Sequence, residues 1–285
     1  MSARTAAPAP AADRTLAPLG RRLAEVTGRR RVGAYQVLSC DDSDGPAPDP
    51  GQFYMLAAAE RWGGGVDERP FLPRAFSVLR RHPDGGLDFV LEDVGPGTRR
   101  LGELRPGDGL WILGPLGVGF RAPAPGRRAV LAGGGVGIAP LAIWQDHLGD
   151  DAVVLLGFRD AAHAEGASLL RDARVATDDG SAGTQGLVTD LLAAELVDPG
   201  AAPATVYACG PPPMLEAVRA LCAEREVPAQ LALESGMACG YGACFGCVVP
   251  TRDGYVRLCV DGPVLDAERL DAVGEHAGAA AAARP

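Results

Sequence analysis

The chain has 285 residues, 47% of them apolar and 22% charged, with a formal net charge of −9. Such a length allows several cored domains, and the acidic balance argues against a nucleic-acid-binding role, which needs a basic face. No apolar run approaches the roughly 20 residues that cross a bilayer, and the absence of any lysine removes Schiff-base chemistry and a lysine base.

Residues 1–30 are rich in Ala, Pro and Arg without a sustained period, and a disordered arm is expected there. The opening "MSARTAAPAPAADRTLAPLG" lacks the continuous apolar core and cleavage site of a secretory signal, so the chain is expected in the cytoplasm. Residues 31–122 carry the short runs "AYQVLSC", "GQFYMLA", "RAFSVLRR", "LDFVLEDV" and "GLWILG", punctuated by Gly, Pro and Asp. Turn-separated runs of this kind predict a small antiparallel barrel. Between two of them, "AAAERWGGGVDERPFLP" reads as a flexible loop.

After the proline-rich "RAPAPGRR", residues 126–230 alternate strand-like "RAVLAG", "AVVLLGF", "RVATDDG" and "TVYACG" with helix-like "IAPLAIWQDHLG", "GLVTDLLAAELV" and "PPPMLEAVRALCAERE". That alternation predicts βαβ units and a parallel sheet. Residues 231–270 form a cysteine-rich module and 271–285 a tail.

Several short motifs could carry chemistry. In "RAFSV", Arg74 and Phe76 share one face of a strand and Ala75 and Ser77 the other. An arginine there can hold a diphosphate and a hydroxyl can reach a flavin ring, although an Arg-x-x-Ser on a barrel strand can also be surface decoration. Gly95, Gly97 and Thr98 in "EDVGPGTRR" precede a short helical segment, as an anion site or an ordinary capped turn. The three glycines of "GPLGVGF", Gly114 to Phe120, suggest close approach of backbone to a ligand. In "LAGGGVGIAPL" a glycine turn joins strand to helix, where a nucleotide pyrophosphate can sit on the helix dipole. Gly135 and Gly137 are there followed by Pro140 rather than by a third glycine. Asp178 and Asp179 follow a strand and can accept hydrogen bonds from a ribose diol. Cys209 and Gly210 end another strand; a lone thiol usually reads as core, but at a strand C-terminus of an α/β sheet it faces the ligand crevice.

The densest signal is "ESGMACGYGACFGCVVPTRDGYVRLC", with Cys239, Cys244, Cys247 and Cys259. Its C-x4-C-x2-C spacing with a distant fourth Cys is that of plant-type [2Fe-2S] ligation; the alternatives are a zinc site, disulfides or free core thiols. Gly240, Gly242 and Gly246 are expected to give the loop room and positive φ. Cys259 is expected to arrive from a hairpin turning at Asp253-Gly254.

Together, the Arg-x-aromatic-Ser strand, the G-x-G-x-x-P turn and the C-G-P strand end resemble the ferredoxin-reductase superfamily. With "ESGMACGYGACFGC", "GPLGVGF" and "TDDGSAGTQGLVTD", residues 31–270 resemble more closely the electron-transfer subunits of class B dihydroorotate dehydrogenases. Those typically carry Arg-Pro-x-Ser where this chain has Arg74-Ala75-Phe76-Ser77, and the loop Glu60 to Pro73 is longer than expected.

The resemblance implies that Arg74 and Ser77 with Gly97 and Thr98 bind FAD, that Gly135, Gly137 and Pro140 form the NAD turn with Cys209 and Gly210 near the nicotinamide, and that the four cysteines ligate [2Fe-2S]. The expected fold is a multidomain α+β/α/β chain: an antiparallel FAD-binding β-barrel, a parallel-sheet nucleotide-binding domain and a small C-terminal [2Fe-2S] module. The expected function is an electron-transfer subunit of a hetero-oligomer, passing electrons from a partner's FMN through [2Fe-2S] and FAD to NAD+. Another NAD(P)H-linked complex (sulfhydrogenase, transhydrogenase or oxygenase reductase) and a non-enzymatic redox sensor are the alternatives.

Overall fold

Alternation of apolar and polar side chains builds the first half of the chain in the computed structural model, which describes residues 20–63, 70–198 and 200–270. Strands β1 (Arg22–Val32), β2 (Tyr35–Asp41), β3 (Phe53–Ala58), β4 (Arg74–Arg81), β5 (Gly86–Leu91) and β6 (Gly109–Leu116) close into an antiparallel barrel in the order β1-β2-β5-β4-β3-β6. Helix α1 (Pro96–Gly102) joins β5 to β6. Val26, Leu38, Tyr54, Phe89 and Ile112 point into the barrel core.

β1 corrects the expected arm over residues 1–30, because it begins at Arg22. Ala24 and Val26 do alternate inward, but a register shift between Val26 and Gly28 and the exposed Arg29, Arg30 and Arg31 hide the period. Pairing with both β2 and β6 gives the segment its place, since closure leaves no edge. The rest of that arm, part of the 60–73 loop and the expected tail over 271–285 lie outside the described residues.

The second half alternates as expected. β7 (Arg128–Gly134), α2 (Ile138–Leu148), β8 (Val153–Phe158), α3 (Ala161–Ala164), β9 (Arg174–Thr177), β10 (Thr184–Gln185), α4 (Val188–Leu196), β11 (Ala204–Cys209), α5 (Pro212–Glu224) and β12 (Ala229–Ala232) follow one another. Beyond the cysteine loop come the hairpin β13 (Val248–Thr251) and β14 (Gly254–Arg257), helix α6 (Leu258–Asp261) and β15 (Val264–Asp266). The sheet order is β10-β9-β8-β7-β11-β12-β15, parallel throughout except for β15, which runs antiparallel to β12. β11 is buried along its whole length, the pattern of a strand covered on both faces. Through β15 the C-terminal module is an extension of the sheet, and a bridge from Val118 to Pro263 ties it to the barrel exit.

Barrel and sheet share one core. Tyr35, Val37, Leu79 and Val90 of the barrel pack in one cluster with Ile138, Leu141 and Trp144 of α2. Trp144 stacks on Phe120 at 5.8 Å and meets Tyr207 edge-on at 5.4 Å. Arg80 of β4 bonds Asp146 of α2 at 2.7 Å, and Arg171 bonds the same carboxylate at 2.6 Å. Among the described residues no helix is long and apolar enough to cross a membrane.

Trp144→Ala should therefore lower stability by about 3–5 kcal/mol, with barrel and sheet melting in a single urea transition by far-UV circular dichroism; two separated transitions would contradict the shared core. Burial raises the Asp146 carboxyl, but hydrogen bonds from Arg80 and Arg171 outweigh it and hold it below its ordinary value. Its contribution is present above the unfolded pKa of roughly 4 and fades as pH falls through the depressed native value. Asp146→Asn should accordingly flatten the acid limb of the stability curve.

Candidate functional site

A cleft of about 160 Å³ opens where the barrel, α2 and the start of the C-terminal module meet, lined among others by Ala75, Phe76, Ser77, Val136, Glu234 and Ser235. β4 places three of the four residues of the "RAFS" strand on this cleft; Arg74 lies beside it. The Arg74 guanidinium donates to the Leu72 carbonyl at 2.6 Å and stands 5.9 Å from the centre of the Trp62 ring. A Cβ on Gly97 would come within 2.6 Å of Arg74 Nε, so the predicted arginine and the predicted glycine turn are in contact across 23 positions of chain. Gly97 is what lets the guanidinium lie over the start of α1.

Thr98 has a local task in the turn. Its Oγ1 accepts from the amides of Val94 and Gly95 and donates to the Gly95 carbonyl, all at 3.0–3.1 Å, so this hydroxyl shapes the turn. Ser235 Oγ, by contrast, is buried without a hydrogen-bond partner in the cleft wall. An orphaned hydroxyl there fits a polar ring edge such as a flavin's.

The second cavity, about 440 Å³, lies at the C-terminal edge of the parallel strands, where open α/β sheets receive ligands. Gly135, Asp178, Arg159, His163, Pro211 and Met214 are among its walls, and Tyr35 and Glu92 reach it from the barrel. The glycines of the turn divide their work. Gly135 has φ +56 and open space where a Cβ would be. Gly137 touches the Cys209–Gly210 peptide: a Cβ would meet the Cys209 carbonyl oxygen at 2.4 Å and Gly210 N at 2.6 Å. Gly210 is also held against Met214. Gly95 has open space at its Cβ position.

Pro140 and Cys209 are buried and line neither cavity. Burial pushes the Cys209 thiol well up, and the Glu234 carboxylate adds to the effect. Glu234 itself, reachable by solvent along the cleft but crowded by its walls, is raised by desolvation. Asp178 faces the nucleotide cavity, while Asp179 is occupied by Ser181, whose Oγ and amide hydrogen bonds lower it.

In the cysteine loop the sulfurs fall into two pairs. Cys247 and Cys259 are buried with sulfurs 3.2 Å apart, while Cys239 and the exposed Cys244 are hydrogen-bonded to each other. Among the described residues no three His, Cys, Asp or Glu gather tightly enough to hold one ion, whereas two thiolates for each of two irons is the arrangement of a [2Fe-2S] donor set. Desolvation raises the Cys239 thiol, but hydrogen bonds from the amides of Tyr241, Cys244 and Ala243 and from the Cys244 side chain bring it down to about 6. Burial and then the Cys247 sulfur push the Cys259 thiol up to about 12, so Cys259 becomes a thiolate only beside a metal.

The loop is anchored on both flanks. Gly240 (φ +81) has no room for a Cβ, which would meet Met55 of β3 at 2.5 Å, and Gly242 (φ +88) faces Val260. The expectation for Gly246 is corrected: the positive φ of +57 belongs to Phe245, and Gly246 has ordinary clearance. The hairpin turn is Arg252-Asp253, one residue before the expected pair, because Thr251 pairs with Gly254. Cys259 stands on α6, one step beyond the hairpin. Arg257, unremarked in the sequence, donates to the Gly242 carbonyl at 3.1 Å and lies 5.3 Å from the Phe245 ring centre. Arg159 was equally invisible, since nothing in its neighbourhood forms a motif, and Glu234 and Ser235 open the cysteine-rich stretch without being ligand types in its spacing.

The barrel followed by a nucleotide-binding sheet is that of the ferredoxin-reductase fold. The structure superposes on that titled "Insights into flavin-based electron bifurcation via the NADH-dependent reduced ferredoxin-NADP oxidoreductase structure" with a TM-score of 0.73 and 26% identity, over 89% of this chain and 91% of that one. The ferredoxin reductase in carbazole 1,9a-dioxygenase shares the fold at a TM-score of 0.58 and 23% identity, over 73% and 66%. Residues 234–271 match the model of the iron-sulfur cluster binding domain of dihydroorotate dehydrogenase B. The dihydroorotate dehydrogenase B (NAD(+)) electron transfer subunit of Caldanaerobacter subterraneus subsp. tengcongensis is 35% identical over 253 residues, 87% of this chain and 97% of that protein. Its counterpart from Bacillus caldolyticus is 40% identical over 231 residues, 76% and 85%. The chain belongs to the family of dihydroorotate dehydrogenase B electron transfer subunits.

Cys244→Ser should abolish the visible iron–sulfur bands and keep the flavin; unchanged iron content would refute the ligand set. Gly137→Ala should destabilise the fold by about 1–3 kcal/mol, because the facing atoms are backbone, and Gly135→Ala by about 1 kcal/mol through its left-handed φ alone. Thermal unfolding of both variants measures the contrast.

Proposed function

We propose that the chain is the electron-transfer subunit of a dihydroorotate dehydrogenase-type complex of pyrimidine biosynthesis, carrying electrons from a partner's FMN by way of [2Fe-2S] and FAD to NAD+. The observation that supports it most is the pairing of four cysteines in a loop whose first residues, Glu234, Ser235 and Met237, line the same cleft as Ala75, Phe76 and Ser77 of β4. FAD, when bound, supplies the exchange between two-electron nicotinamide chemistry and one-electron cluster chemistry. Around it the protein's own groups position and exclude. Ser77 and Ser235 offer hydroxyls to the ring, Arg74 over Gly97 offers a guanidinium to the diphosphate, and Phe76, Val136 and Ala139 keep water from the cleft. At the nucleotide cavity the Gly135 turn opens the start of α2 and Asp178 presents a carboxylate to a ribose. No side chain is required as a strong acid or base.

Cys239, Cys244, Cys247 and Cys259 hold the cluster in this reading. Tyr241, Phe245 and Tyr255, 60%, 63% and 77% exposed around it, form the face on which the FMN subunit docks. All seven cysteines are free of disulfides, which suits a cytoplasmic complex.

The isolated subunit should show overlapping flavin and iron–sulfur absorption and reduce an artificial dye with NADH; a cluster without flavin, or no dye reduction, would remove the reading. Dihydroorotate-dependent NAD+ reduction should appear only after co-purification with an FMN-containing subunit. An FMN-free partner would point instead to another NAD(P)H-linked complex.

A further inference from the structure

The nucleotide cavity contains a charge arrangement that the electron-transfer role does not account for. Its titratable lining residues are Glu92, Arg159, His163, Asp178 and Tyr35. Arg159 is the one permanently cationic side chain among them, and a chain without lysine has only arginine to offer a phosphate.

That guanidinium is already engaged. Arg159 Nη2 donates to the Glu92 carboxylate at 2.5 Å, and Nε donates to the His163 ring at 3.0 Å. His163 is in turn held by Asp160 at 2.7 Å and by the edge-on ring of Tyr35, 5.5 Å between centroids. Arg159 and His163 follow β8 in the sheet domain, whereas Glu92 and Tyr35 belong to the barrel, so the pair bridges the two. With Arg159 engaged, two carboxylates face one guanidinium, and the cavity carries a net negative charge. A dinucleotide brings a further dianionic diphosphate into that space, which like-charge repulsion opposes unless a cation is released to meet it. Arg159 can be released: its side chain is 60% exposed, against 23% for Glu92.

We infer that Arg159 is the diphosphate-binding residue of the nucleotide site and that Glu92 is its internal competitor, so that nucleotide binding exchanges the Glu92–Arg159 pair between barrel and sheet for an Arg159–diphosphate pair. The inference rests on the nucleotide-site reading given above. It makes Glu92 a positioning residue that weakens nucleotide binding in the wild type, and it couples occupancy of the cavity to a contact between the two domains.

The experiment is a calorimetric titration of ADP-ribose, which has the diphosphate but no redox chemistry, into the holoprotein with flavin and iron content checked. Arg159→Gln should weaken binding about tenfold or more. Glu92→Gln should tighten it about three- to fivefold, the scale of a partly exposed ion pair. Glu92→Asp, which keeps the charge but shortens the reach, should fall between Glu92→Gln and the wild type. In an Arg159→Gln background the gain from Glu92→Gln should vanish. A gain that persists there would mean simple through-space repulsion and would overturn the exchange, as would a Glu92→Gln protein with unchanged Kd. Wild-type protein that binds no ADP-ribose would overturn the nucleotide-site reading itself, a result distinct from either.

Discussion

The packing of α2 against β4 is the contact on which the rest of the molecule depends. β4 carries residues that line the smaller cleft, and α2 begins at the glycine turn on the larger cavity. Apolar contacts around Tyr35, Leu79 and Trp144, with Asp146 bridging Arg80 and Arg171, hold these elements in one register. A flavin and a nicotinamide exchange hydride only when their rings meet closely, so two freely moving domains would not serve. A shared core removes that freedom at its origin, because sliding α2 over β4 would expose apolar area to water.

The cysteine loop is built by the same logic, against β3 of the barrel. Gly240 lies against Met55, Arg257 holds the Gly242 carbonyl, and β15 closes the module onto the sheet. The two cysteine pairs thereby come to differ: Cys247 and Cys259 are enclosed, while Cys244 is exposed beside Tyr241 and Phe245. Such a gradient from enclosed to open suits a group that receives electrons from outside and hands them inward, since the enclosed side has low dielectric and fixed donors while the open side admits contact.

Polar residues of the sites often serve local geometry as well as a ligand. Thr98 spends its hydroxyl on the turn that presents α1, Asp179 caps Ser181, and Gly137 exists for the Cys209–Gly210 peptide. These residues stand in recognisable motifs, but the motif marks a backbone shape, while the unpartnered hydroxyl of the cleft belongs to Ser235 and the guanidinium of the larger cavity to Arg159, neither of which the spacing singles out.

The sequence by itself determined whatever depends on spacing along the chain: the strand runs and βαβ alternation that make barrel and sheet, the glycine turn before α2, and the four cysteines. Such features are local, because periodicity, φ preference and ligand spacing act over a few residues. It left β1 unread, since the bulge after Val26 and three exposed arginines erase the alternation, and only pairing with β2 and β6 makes that segment a strand. Tertiary structure alone decided that Arg74 meets Gly97, that Glu92 reaches across to Arg159, that β15 fuses the cysteine module to the sheet, and that the cysteines fall in two pairs. Each of these joins residues far apart in sequence, and their contact follows from closing the barrel and burying α2, a global condition that no short window of residues contains.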